Sequence, residues 1–90
     1  MTDQVLFAQN QARLNVTWGG ANGDLPDALA YDLTDTDVRR IATEAVQAGS
    51  IPGIPAAPDA DFTDFVVDRF PSTDETENRL FVRPKVPFGK

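Results

Sequence analysis

Ninety residues carrying 14 acidic and 8 basic side chains, a net charge of -6, and neither cysteine nor histidine leave room for one domain with little chemistry of its own. Without Cys or His there can be no disulfide, thiol nucleophile, imidazole base or Cys-type metal site. Phosphate backbones and anionic lipid surfaces are repelled by such a balance, so neither nucleic acid nor membrane is an expected partner.

A chain of this length buries about 60–65% of its unfolded surface, so each large apolar residue counts towards the core. One Trp, one Tyr and six Phe with a moderate supply of Val, Leu and Ile suffice for one sheet packed on one helix, but not for a cofactor cavity as well. No apolar run approaches the roughly 20 residues that span a bilayer. Residues 1–10 lack a basic start and hold only the short apolar run Val5-Leu6-Phe7-Ala8. They read as a flexible arm rather than a signal peptide, and the expected location is cytoplasmic.

Along the chain, Leu14, Val16 and Trp18 alternate with Arg13, Asn15 and Thr17, the period of a half-buried strand. The turn-rich stretch 19–24 includes Asn22-Gly23, a strong hairpin signal. Leu29, Tyr31 and Leu33 alternate in turn and predict a second strand, antiparallel to the first across a longer loop. Thr34 and Asp37 have the spacing of a capping box, and Asp35 and Asp37 suit the positive end of a helix dipole. Val38, Ile41, Ala42, Ala45 and Val46 then draw one apolar stripe, with Arg39, Arg40, Glu44 and Gln47 on the wet side. Gly49 is placed to end the helix in a left-handed conformation.

The prolines of Ile51-Pro52-Gly53-Ile54-Pro55 forbid helix and central strand alike, so this segment reads as a crossover pinned by its two isoleucines. A third strand is expected over 62–70, with Phe65 and Val67 on one face and Val66, Asp68 and Phe70 on the other. Residues 71–78 form a polar loop. A last strand follows over 79–83, where Leu80 and Val82 alternate against Phe81, and Pro84 ends regular pairing.

Few residues are candidates for chemistry. The two serines, Ser50 and Ser72, lie in loops, and the carboxylates sit in solvated turns where tuned pKa values are not expected. Asp59-Ala60-Asp61 and Asp35-Thr36-Asp37 have cation-binding composition but no continuation into an EF-hand loop, so a turn and a helix cap explain them. The Gly-rich turn lacks Walker spacing, and Asn15-Val16-Thr17 is a glycosylation sequon inside a strand. The expectation is a non-enzymatic protein without metal or cofactor, one that other proteins recognise.

The order of elements (hairpin, capped helix, crossover, two further strands) resembles the ubiquitin-like β-grasp fold, as does a Gly-Ile-Pro element after the helix, here within Gly49-Ser50-Ile51-Pro52-Gly53-Ile54-Pro55. The resemblance covers roughly residues 12–89 in topology. It implies an α+β fold with a mixed four- to five-stranded sheet and one helix packed across it, the strands at 14–18 and 79–83 side by side at its centre. The domain would run over 11–84, with a flexible tail at 85–90.

The ending Arg83-Pro84-Lys85-Val86-Pro87-Phe88-Gly89-Lys90 is similar to the basic, glycine-bearing tails of ubiquitin-like modifiers, above all small bacterial ones. By that resemblance Gly89 is the conjugation residue and Lys90 is removed by a processing peptidase. Arg83, Pro84, Lys85 and Phe88 form the tail read by partners, which are an activating enzyme, a conjugating enzyme and the target proteins. Adenylation with ATP would precede transfer to the target. Two features depart from the family's pattern: Phe88 stands where a second glycine is usual, and Pro84 and Pro87 stiffen the tail towards extended geometry. A non-covalent β-grasp adaptor is the alternative, and a sulfur carrier with a C-terminal glycine thiocarboxylate a third reading, which Lys90 opposes unless trimmed.

Overall fold

The computed structural model describes residues 10–85, so residues 1–9 of the expected arm and residues 86–90 of the expected tail lie outside the described residues. Six elements follow in order: β1 (Gln11–Trp18), β2 (Ala21–Asp24), β3 (Leu29–Ala30), α1 (Asp35–Ala48), β4 (Val66–Phe70) and β5 (Asn78–Arg83). They form a small mixed α+β domain with one helix and a mixed five-stranded sheet. The strand order is β2-β1-β5-β4, and β3 also pairs with β1.

β1 is parallel to β5 in the middle, with Leu14 opposite Leu80 and Val16 opposite Val82. β2 and β3 pair with β1 antiparallel, and β4 pairs with β5 antiparallel. The period of two sends Ala12, Leu14 and Val16 to the same face as Leu80 and Val82, and all five are fully buried. Among the described residues, no helix is long and apolar enough to cross a membrane.

The helix begins as its sequence dictates. The Thr34 hydroxyl accepts from the Asp37 backbone N–H at 3.1 Å, satisfying one orphan donor of the first turn. The Asp37 carboxylate pairs with Arg40 at 2.7 Å. At the other end Gly49 adopts φ 71° and its N–H reaches back to the last turn. Val38, Ala42, Ala45 and Val46 are buried on the sheet, with Ile41 half-buried beside them. Ile51 and Ile54 anchor the crossover in this core, and Phe62 completes it, packing 5.0 Å from Trp18 and 4.6 Å from Phe65 between ring centroids.

Three strand expectations need correction. The hairpin turns at Gly19-Gly20, both at positive φ, while Asn22-Gly23 lies inside β2 opposite Thr17 and Val16. The second strand is interrupted, pairing over 21–24 and again only over 29–30. Past Ala30 the Tyr31 N–H still donates to the Asn10 carbonyl at 2.7 Å, but the Leu33 N–H turns back to the Ala30 carbonyl, and the Tyr31 and Leu33 carbonyls accept from Arg69 of β4 at 2.8 and 2.6 Å. The third strand starts at Val66 rather than Phe62. The Asp61 side chain accepts from the Thr63 backbone N–H at 2.9 Å and the Thr63 hydroxyl at 2.6 Å, which folds residues 61–63 into a turn.

Candidate functional site

The helix covers one face of the sheet, and the alternation that buries Leu80 and Val82 turns Arg79, Phe81 and Arg83 to the opposite face. Register places Val66, Asp68 and Phe70 of β4 beside them, and Asn15 and Thr17 of β1 on the other flank. Phe70 and Phe81 meet edge to face, centroids 5.3 Å apart and ring planes at 86°. Phe70 is 54% exposed, the large apolar side chain most open to solvent among the described residues. The Arg79 guanidinium lies over the Phe81 ring at 5.1 Å from its centroid, a cation–π contact.

Polar groups fence this aromatic centre. Arg83 pairs with Asp68 and Arg13 with Glu77, each at 2.6 Å. The hydrogen bond from Arg13 to Glu77 holds the guanidinium pKa above its already high range. Towards β2, the Asn15 and Asn22 amides donate to each other's oxygens at 3.0 and 2.7 Å, and Asn15 also donates to Asp24 at 2.8 Å. Arg79 is held more loosely: its terminal nitrogen stands 3.8 Å from Asp24, and its Nε is buried without an acceptor. A shallow open groove of about 440 Å³ results, floored by Arg79 and Phe81 and walled by Thr17, Phe70, Thr76 and Arg83.

The second feature is the exit from the sheet. Val82 is fully buried, whereas Arg83, Pro84 and Lys85 are exposed in succession. Arg83 is the last residue of β5 and is engaged with Asp68, so it belongs to the sheet rather than to a free tail. Pro84 and Lys85 follow it into solvent. Phe88, Gly89 and Lys90 lie outside the described residues.

No family model, curated protein or solved structure matches the chain.

Among the described residues no group of three or more carboxylates gathers that could hold a metal ion. The titration of Asp61 is perturbed by structure: the Thr63 hydroxyl, then the Thr63 backbone N–H, hold its carboxyl below the usual carboxylate range. That is the signature of the turn it caps, far from the groove in chemistry and in purpose.

The groove residues Arg79, Phe70 and Phe81 are missing from the candidates drawn from sequence. A signal was nevertheless present. In β5 one alternating set carries Arg79, Phe81 and Arg83 and the other Leu80 and Val82, so charge marks the wet face there; in β4 Asp68 and Phe70 share that face, while Arg69 falls on the other with Val67. Each strand places one phenylalanine among its charges, which is where an aromatic has least to gain from the core.

Proposed function

We propose that the chain is a ubiquitin-like modifier of β-grasp type, joined to target proteins through Gly89. The observation that carries this reading is the placement of β5. It runs between β1 and β4, anchored by Leu80 and Val82, and releases the chain at the exposed Pro84-Lys85. A segment tethered to a central strand and leaving at the surface can be drawn into a partner's active site without unfolding the domain. Glycine suits the acyl position because no side chain hinders the approach of ATP or of an acceptor.

In the proposed sequence a peptidase hydrolyses the bond after Gly89. The freed carboxylate attacks the α-phosphate of ATP in an activating enzyme, and pyrophosphate leaves. A thiol of the enzyme displaces AMP, and a target nucleophile finally displaces the thiol. The chain supplies none of the catalytic groups; it supplies the carboxylate and the surface by which the enzymes recognise it.

The non-covalent adaptor is the second reading, favoured by the exposed Phe70 beside Phe81, which gives a docking surface that needs no tail chemistry. Incubating a tagged chain ending at Gly89 with native-host extract and ATP separates the two. ATP-dependent adducts that vanish when Gly89 is deleted support the modifier. Partner binding that persists without any adduct, and survives truncation after Lys85, supports the adaptor.

A further inference from the structure

We infer that residues 4–9, just upstream of β1 in the same chain, lie across the open face of the sheet, with Phe7 against Phe70 and Val5 against Phe81. The segment is then a cover that any partner using this face must displace. Such a cover acts whether or not Gly89 is conjugated.

The groove and the segment match in chemistry. Phe70 and Phe81 meet each other on the open face, and Phe70 stays largely exposed there. The three arginines around them each have an acid: Arg83 has Asp68, Arg13 has Glu77 and Arg79 has Asp24. The face is therefore an apolar centre inside a balanced fence, with no charge left over to select an ionic ligand. Gln4-Val5-Leu6-Phe7-Ala8-Gln9 is likewise uncharged, and its apolar run has no counterpart in the polar loop 71–78 at the same end of the sheet. In an extended segment Val5 and Phe7 point the same way.

The distances match as well. Asn10 is held at the head of β1, its carbonyl accepting from the Tyr31 N–H at 2.7 Å. It lies in a turn, so the chain enters β1 by changing direction, as asparagine readily allows. Arg13, Arg79 and Phe70 stand in one row across β1, β5 and β4, and Asn15 stands opposite Phe81. Strand spacing and rise put Phe70 roughly 14 Å and Phe81 roughly 17 Å from Asn10. An extended chain reaches about 10 Å from Asn10 to Phe7 and about 17 Å to Val5, and a phenylalanine side chain closes the difference at Phe70. Thr76 and Glu77, which line the groove, precede β5 at the same end.

Tethering and charge favour this occupant over others. A segment joined to β1 through a few residues meets the groove at an effective concentration of about a millimolar. A second copy brings its own net charge of -6 and is repelled. At the other end of the chain, Pro84 and Pro87 favour extended geometry over the reversal that would return Phe88 to the groove.

The test places a nitroxide on the full chain through Thr2→Cys, the sequence having no other cysteine. The amide resonances of Thr76, Phe70 and Phe81 should lose intensity, and those of Glu44 and Gln47 on the helix should not. Phe7→Ser should cut the docked population about tenfold and restore the groove signals. Val5→Ser should act in the same direction, whereas Leu6→Ser, on the opposite side of an extended segment, should leave the broadening in place. Phe70→Ser, at an exposed site, should restore Thr76 and Phe81 from the sheet side. Undiminished groove signals in the labelled parent, broadening of the helix instead, or a loss as large for Leu6→Ser as for Phe7→Ser would overturn the inference. So would broadening of an unlabelled isotopic partner in a mixed sample, which marks a second copy, or groove shifts caused by Phe88→Ser alone, which mark the tail. ATP-dependent adducts at Gly89 alongside any of those results would leave the modifier reading standing.

Discussion

Gly23 of β2 and Pro52 of the crossover meet backbone to backbone: a Cβ on Gly23 would stand 2.1 Å from the Pro52 carbonyl oxygen and 2.8 Å from the Ile51 side chain. The hairpin thus clamps the segment that carries the chain from the helix towards β4. Replacing Gly23 with Ala forces one backbone away from the other and pulls on the buried Ile51. The expected loss is about 1–3 kcal/mol, read as a lower urea midpoint at unchanged m-value.

The same contact explains which part of the hairpin was legible. Asn22-Gly23 resembles a turn because both residue types tolerate positive φ, yet the turn falls at Gly19-Gly20 and Gly23 is needed for close approach to Pro52. Local pattern cannot reveal a contact across almost thirty residues. The helix was legible because each of its signals is local: Thr34 caps Asp37 three residues on, the stripe repeats every three or four residues, and Gly49 reaches back three and four residues to Val46 and Ala45. Tyr31 and Leu33 alternate like a strand, but their carbonyls are taken by Arg69 from the far edge of the sheet. The groove was half legible: its residues alternate correctly, and only the pairing of β4 with β5 brings Phe70 to Phe81.

Leu80 is fully buried at the centre of the sheet, opposite Leu14. Leu80→Ala should cost about 2–5 kcal/mol through lost burial and the cavity left behind. Phe70→Ala removes a comparable volume from an exposed site and should cost no more than about 1 kcal/mol. Parallel denaturation curves check the contrast, and equal losses would mean that Phe70 belongs to the core.

Arg69 joins the end of the hairpin strand to the helix start by donating to the Tyr31 and Leu33 carbonyls and to Asp35. Arg69→Gln should destabilise by about 1–3 kcal/mol, most of it from the two orphaned carbonyls rather than from the half-exposed ion pair. Asp35→Asn, which keeps both carbonyl bonds, should cost much less. Amide hydrogen exchange should show the segment before Thr34 losing protection first in the Arg69 variant.

The Thr63 hydroxyl and N–H favour the charged form of Asp61, so its folded pKa lies below its unfolded value. The associated stability is therefore present above the unfolded pKa, roughly pH 4, and is lost as the pH falls through the folded pKa. Carboxyl NMR titration should find Asp61 below the ordinary aspartate range, and Thr63→Ala, which removes the larger of the two bonds, should raise it. Asp61→Asn should flatten the acid limb of the stability curve.

Proteomics of the native host tests the modifier account most directly. Trypsin cuts after Lys85 but poorly at the Arg83-Pro84 bond, so a target joined through Gly89 keeps Val86-Pro87-Phe88-Gly89 on its modified side chain. The account predicts target peptides bearing that four-residue remnant, absent from cells whose copy lacks Gly89. Recovery of the chain only as free protein, with no remnant on any target at matched depth, would contradict it.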